Sequence, residues 1–325
     1  MTVPPKSWRG LRPVKGPYVA TTADIAALNE VFAEAFTERY RRDGLTGVRV
    51  PPLNPAIWRY AIEDAGDGAL CWRDERNRMV AFNMVHHSGA EGWMGPLCVR
   101  PDYQGFGLGK TIVQAGQQWL EQQNVKVIGL ETMPRTMDNI GFYSGLGFVP
   151  GPLTITLMLD VTGENQAPAL LSELSGAAHD KALEGCRALT TRVLPGYNFT
   201  RELELTERLA LGDTLLLGPP HSPTGFVLCH TAPLVEGRTR EELRVLKMVL
   251  SDRADLTSMA RLTAEYARNT GTRRVAYRVQ GVYPDVYRTL VQLGARVRWT
   301  DLRMSMHGWT EGTPSQGLVL SNWEI

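Results

Sequence analysis

The sequence predicts an α/β protein, an α+β arrangement of helices on a mixed sheet, laid down twice in tandem. Three observations carry this. Short apolar runs such as VKVIGLET alternate with stretches whose apolar residues recur at helical spacing. A glycine-rich loop joins a strand to a helix inside the first half. The order strand, loop, helix, strand, helix then recurs, with Val99 matching Val249 and Gly105 matching Asp255, an offset of 150 residues.

Residues 1–17 are rich in Pro, Gly and Lys and read as a loose arm. TTADIAALNEVFAEAFTERYRR places Ile25, Leu28, Val31, Phe32, Ala35 and Phe36 on one helical face, with Thr22 or Asp24 as cap. PPLNPAIWRYAIED reads as a second, short helix. A hairpin follows, with strands Ala69 to Arg73 and Met79 to His87 about a charged turn. GWMGPLCV is a strand, TIVQAGQQWLEQQ a helix, VKVIGLET a covered strand, MDNIGFYSGLG a short helix and FVPGPLTITLMLD a long strand. The boundary falls in the polar stretch near residues 160–168. The expected domains are residues 14–162 and 166–325. In the second, AAHDKALEGCRALTTRVL and LELTERLALG read as helices, and DTLLLG and TGFVLCHTAPL as strands. EELRVLKMVL, RRVAYRVQG and ARVRWTDLRMSM continue the strands, separated by helices in TSMARLTAEYARNTG and VYPDVYRTLVQLG. GLVLSNWEI closes as a strand.

With 43% hydrophobic residues, the 325-residue chain has the means for sizeable cores. Its net charge of +1 gives no whole-chain case for nucleic acid or anionic lipid. The opening MTVPPKSWRGLRPVKG has no apolar core of a signal peptide, and no stretch is long enough to span a membrane. None of Cys71, Cys98, Cys186 and Cys229 stands in a CxxC pair, so they read as reduced thiols of a cytoplasmic protein.

In VRPDYQGFGLGKTIVQAG, glycines at 105, 107 and 109 clear side chains from a loop–helix junction. Backbone N–H groups there, aided by the helix dipole, form an anion site. A P-loop needs glycine at position 104, which is Gln104, and a dinucleotide fingerprint needs a different spacing.

The run Val99-Arg-Pro-Asp-Tyr-Gln-Gly-Phe-Gly-Leu-Gly109 resembles the acetyl-coenzyme A loop of the GCN5-related N-acetyltransferases (GNAT). Leu130, Glu131, Phe142, Tyr143, Gly147 and Phe148 resemble that family's second signature. The resemblance covers residues 14–160, and in the second half only the element order. It implies acetyl-CoA as co-substrate, with pyrophosphate held by backbone amides of Gln104, Gly105, Phe106, Gly107, Leu108, Gly109 and Lys110. It also implies a pantetheine arm along Leu97, Cys98 and Val99. Phe142 belongs to the same signature. The family often has Asn where this chain has Thr136, and a small residue where it has Asn139, so these two positions mark a departure at the coenzyme site.

Acetyl transfer to an amine needs a proton acceptor for the ammonium and a proton for the departing thiolate. The resemblance assigns the second task to Tyr143 and makes Glu131 the candidate base. His86, His87 and Glu91 are further candidates. On a strand, His86 and His87 face opposite ways. No metal site is expected.

In the second half Asp255, Thr257 and Met259 replace the three glycines, and Leu290 stands opposite Tyr143. A carboxylate in the anion nest repels pyrophosphate. This copy reads as degenerate, with packing, shaping of the acceptor cleft or homodimer formation as its candidate roles. Tyr266, Tyr277, Tyr283, Tyr287 and Trp299 read as core and interface aromatics. The expected function is acetyl-CoA-dependent N-acetylation of an amine on a small molecule or peptide. The alternative is a non-catalytic acyl-CoA sensor or structural protein.

Overall fold

Two chain halves share one sheet by exchanging strands. The computed structural model describes residues 13–161, 167–239 and 241–323. The first half runs β1 (Val14–Val19), α1 (Ile25–Arg42), α2 (Pro55–Ala65), β2 (Ala69–Asp74), β3 (Met79–Ser88), β4 (Glu91–Val99), α3 (Leu108–Gln122), β5 (Val127–Thr132), α4 (Met137–Ser144) and β6 (Phe148–Asp160). The second runs β7 (Ala169–Leu170), α5 (Ala177–Val193), α6 (Thr200–Arg208), β8 (Gly212–Leu217), β9 (Gly225–His230), β10 (Leu243–Leu250), α7 (Leu256–Asn269), β11 (Arg274–Gln280), α8 (Pro284–Gln292), β12 (Arg296–Met306) and β13 (Leu318–Ser321).

The elements follow local chemistry. Asp24, one of the two expected positions, is the N-cap residue of α1, and its Oδ2 accepts from the Thr21 N–H at 2.9 Å across the short 3-10 turn ahead of the helix. Leu28, Val31, Phe32 and Ala35 of that helix are buried. Asn54 caps α2 through Ala56 N–H, ahead of Pro55 at the first helical position. The expected loose arm is corrected in part: Val14–Val19 is a strand paired antiparallel with β2. Gly16 and Pro17 sit at its register shift, where an edge strand tolerates a missing donor. The rest of that arm, residues 1–12, and residues 162–166 of the expected boundary lie outside the described residues.

The sheet order is β1-β2-β3-β4-β5-β12-β6-β11-β10-β9-β8-β7, with β13 paired to β10 off this path. Strand β12 of the second half lies between β5 and β6 of the first. It pairs antiparallel with β5, from Leu302↔Thr132 to Ser305↔Gly129. Reciprocally, β6 pairs antiparallel with β11 of the second half, from Arg274↔Asp160 to Gln280↔Thr154. Each half thus closes the sheet of the other. Withdrawing either one leaves rows of backbone donors and acceptors without partners.

Strands β4 and β5 run parallel, paired only from Glu91↔Val127 to Met94↔Leu130. Beyond Gly95 and Pro96 they part. The counterparts β10 and β11 pair at Leu243↔Val275 and Arg244↔Ala276, then part in the same way. The two clefts differ in what fills them. In the second half, β13 lies along Lys247–Leu250, with Lys247↔Ser321 and Leu250↔Leu318. By the 150-residue offset, those positions answer to residues 97–100. In the first half no strand covers the β5 side of residues 97–99 among the described residues.

Candidate active site

At the end of β4, Gln104 Nε2 donates to the Val99 carbonyl at 2.8 Å and clips the glycine loop to the strand. Its side chain is therefore spent inside the loop. Gly105 and Gly107 have φ of +85° and +86°, a left-handed region that side chains disfavour, and a Cβ at either would point into open space. Gly107 is the N-cap of α3, and the first bond back to it comes from Thr111 N–H at 3.2 Å. The N–H groups of the first turn therefore face outward from the helix end. Gly109 differs: a Cβ there would meet the Phe142 ring at 3.4 Å. That is an ordinary van der Waals contact, so packing alone does not demand a glycine there. Lys110 is exposed in the same turn, Phe106 stands exposed on the loop, and Leu108 is partly buried.

A cavity of about 840 Å³ begins where β4 leaves β5. Leu97, Cys98, Val99, Gln104, Gly109, Asn139, Phe142 and Tyr143 line one end of it, so the structure brings together much of the expected coenzyme path. Thr136 stands apart: it is buried at the start of α4 and its hydroxyl donates to Asp43 Oδ2 at 3.1 Å. Asn139 Nδ2 donates weakly to Thr132 Oγ1 at 3.4 Å. Burial holds the Tyr143 phenol above its ordinary value, with the nearby Cys98 thiol adding to the shift. Burial likewise raises Cys98, so both keep their protons. All four cysteines are free and buried.

Glu131 also lines the cavity, in surroundings that only the tertiary structure supplies. Arg278 Nη2 and the Thr154 hydroxyl donate to it, and Arg303 Nη1 donates at 3.1 Å. Burial alone would raise its carboxyl, but Arg278 and Arg303 outweigh that and hold it below the usual carboxylate range. Both arginines come from the second half. Arg278 also pairs with Asp301 at 3.2 Å, and Arg303 with Glu311 at 3.0 Å. The Arg303 guanidinium lies 3.9 Å from the centre of the Trp93 ring.

The far wall of the cavity belongs to the second half, with Arg278, Arg298, Trp299, Asp301 and Trp323 among its residues. Trp299 is thus a cavity residue, 39% exposed, where the sequence reading expected a core or interface aromatic. Tyr277 and Tyr283 do sit in the core. Of the histidines, His86 lines the cavity and His87 turns toward Trp119, with ring centroids 5.6 Å apart. Glu91 is fully buried behind Trp93, whose indole N–H donates to it at 3.0 Å. Burial pushes Glu91 up to about 7. No signal in the sequence points to Arg278 or Arg303, which lie far along the chain from Glu131. Among the described residues no cluster of side chains suits a metal ion, and no helix is long and apolar enough to cross a membrane.

Residues 27–148 match the acetyltransferase (GNAT) family. A serotonin N-acetyltransferase 2, chloroplastic, of Oryza sativa subsp. japonica is 30% identical over 134 residues, covering 41% of this chain and 60% of that protein. The chain therefore spans less than two thirds of that relative's length. Among solved structures, a putative acetyltransferase from Pyrococcus horikoshii superposes with a TM-score of 0.66 at 14% identity, over 97% of this chain and 94% of its own. A tandem GNAT protein from the clavulanic acid biosynthesis pathway gives 0.58 at 11% identity, over 90% and 98%. These two likenesses extend across both halves and concern the fold. The loop, the parted strands and the family match agree on one segment: residues 27–148 of the chain form a domain of the acetyltransferase (GNAT) family.

Proposed function

We propose that the protein transfers an acetyl group from acetyl-CoA to an amine, with one working site per chain, built on residues 14–162. Residues 166–325 are the degenerate partner that completes the sheet and walls the acceptor side. One observation carries this reading. The edge Leu97–Val99 is open beside the glycine loop, while its counterpart from Lys247 to Leu250 is covered by β13. An open strand edge offers backbone groups to the amides of a pantetheine arm. The space above Gly105 and Gly107 suits a pyrophosphate on the α3 N-terminus.

Tyr143 gives its proton to the departing thiolate. Its raised value keeps it protonated through the working range and ready to donate. Glu131, the expected base, receives a different role here. Held low by two arginines, its carboxylate is a weak proton acceptor but a fixed anion on the acceptor side, and it orders Arg278 and Arg303. The rice relative is by name a serotonin N-acetyltransferase, which supports an amine as acceptor. The four buried, free thiols fit the reducing, cytoplasmic setting that the sequence suggests.

The test is acetyl-CoA calorimetry on the full chain, followed by thiol release across a panel of amines. Binding with amine-dependent thiol release is the expected result. Failure to bind acetyl-CoA would sink the reading, and binding with no turnover of any amine would favour a sensor.

A further inference from the structure

We propose that the acceptor is an amine carrying a flat aromatic group, and that Trp323, delivered by the strand that closes the second groove, selects it. This deepens the function proposed above and rests on it.

The strand geometry sets where the acceptor must stand. With the pyrophosphate on the glycine loop, an arm running from Val99 to Leu97 carries its thioester toward Gly95 and Pro96, where β4 leaves β5. The attacking amine then lies beyond that point, at the level of Trp93 and Met94. Both line the cavity, and so does Trp323. Trp93 is only 3% exposed, while Trp323 is partly exposed. Trp323 is therefore the ring with surface to offer a ligand there.

Trp93 is its support. It lies opposite Gly129 of β5, and a Cβ at Gly129 would come within 2.6 Å of the Trp93 ring. A glycine weakens a strand interior, and here it clears the space that the indole fills. The centroids of Trp93 and Trp323 are 5.2 Å apart, with their planes at 36°. That spacing is within the range of favourable ring pairs.

Both halves hold Trp323 in place. The Asn322 N–H donates to the Leu246 carbonyl at 2.9 Å, and its Nδ2 donates to the Arg278 carbonyl at 3.1 Å. Asn322 Oδ1 accepts from Gln280 Nε2 at 2.9 Å. One residue earlier, the Ser321 hydroxyl donates to Glu91 Oε2 at 2.7 Å and accepts from Lys247 Nζ at 2.9 Å. The same Glu91 carboxylate accepts from the Trp93 indole, so one buried anion ties both tryptophans to β4. Lys247 Nζ lies 4.0 Å from the centre of a Trp323 ring. A ring fixed this way loses little freedom when a ligand arrives. Thioethers of Met94 and Met158 also line the cavity. Indole and thioether both favour an aromatic partner over a plain alkyl chain of similar reach.

The experiment uses the full chain with acetyl-CoA and two probe amines, phenethylamine and butylamine. The wild-type kcat/KM should favour phenethylamine by roughly 10-fold. Trp323→Ala should bring that ratio close to one, chiefly by raising KM for phenethylamine. Trp323→Phe should keep most of it. Wild type with no preference for phenethylamine, or a Trp323→Ala variant that keeps the wild-type ratio, overturns the proposal. Indole ¹⁵N NMR of the wild-type protein with coenzyme A is a second measurement, independent of variant folding. With the Trp323 signal assigned sequentially, phenethylamine should shift it and butylamine should shift it less. A Trp323 signal that saturating phenethylamine leaves in place overturns the proposal. Failure of the wild-type chain to bind acetyl-CoA would instead overturn the underlying function.

Discussion

Glu131 of the first half and Arg278 of the second form an ion pair across the exchanged strands, with Asp301 on the other side of the same guanidinium. This wall of the cavity is therefore made jointly. Neither half alone can place Glu131, because its second arginine, Arg303, also comes from the partner half.

Glu131→Gln leaves Arg278 and Arg303 without their shared anion. The expected cost is about 1.5–3 kcal/mol, the range for hydrogen bonds to charged groups. The pH dependence has a definite sign. Glu131 is held below the ordinary carboxylate value, so its contribution is complete above the unfolded value, roughly 4.3, and is lost as pH falls through the folded one. Urea unfolding at neutral pH should separate wild type from Glu131→Gln, and the gap should close toward acid. A gap that widens below pH 4 would contradict the assignment.

Tyr143→Phe removes the proposed proton donor and little else, since the ring keeps its packing beside Phe148. Turnover should fall by roughly 10²-fold, the low end of general-acid effects, with acetyl-CoA affinity unchanged. The phenol is held above its ordinary value, so the alkaline limb of the wild-type profile should survive the substitution. A variant with full turnover would remove Tyr143 from the mechanism.

Calorimetry should find one acetyl-CoA per chain. Restoring glycine at the second loop, through Asp255→Gly with Thr257→Gly, should not add a second, because β13 still lies along Lys247–Leu250. A stoichiometry near two in that variant would show that the strand does not close the groove. Gly107→Asp should abolish binding at the first loop. It places a carboxylate in the nest at φ +86°, with about 1–3 kcal/mol of backbone strain.

A fragment ending at residue 163 lacks β12. It exposes the facing edges of β5 and β6 and unpairs Glu131. Its expected behaviour is aggregation or weak activity, with recovery on co-expression of residues 166–325. Size-exclusion chromatography with activity assay decides this. A soluble, monomeric and fully active fragment would refute the supporting role of the second half.

Much of this molecule is legible residue by residue. The apolar spacing of Leu28, Val31, Phe32 and Ala35 marks α1, and the apolar runs of β2 and β3 about a charged turn mark their hairpin. Gly105 and Gly107 are readable because the left-handed backbone they adopt is a local demand that few other residues meet. Gly109 is legible as part of the same motif, but its neighbour, the Phe142 ring, is not. Gln104 and Thr136 belong to the region that the sequence marks out. Their side chains turn to Val99 and Asp43, since hydrogen-bonding groups take whichever partners the fold brings near.

The sequence by itself determined the class of fold and the loop that suits an anion, and it carries the proposed duplication and degeneracy of the second copy. These rest on side-chain size, backbone freedom and periodicity, which are properties of short segments. The tertiary structure alone decided that β6 and β12 change places, that β13 closes the second groove, and that Arg201, Arg278 and Arg303 reach into the first half. A strand's hydrogen-bonding edge is the same for many partners, and an arginine pairs with whichever carboxylate the packing leaves beside it. The choice among those partners is made only when the whole sheet closes.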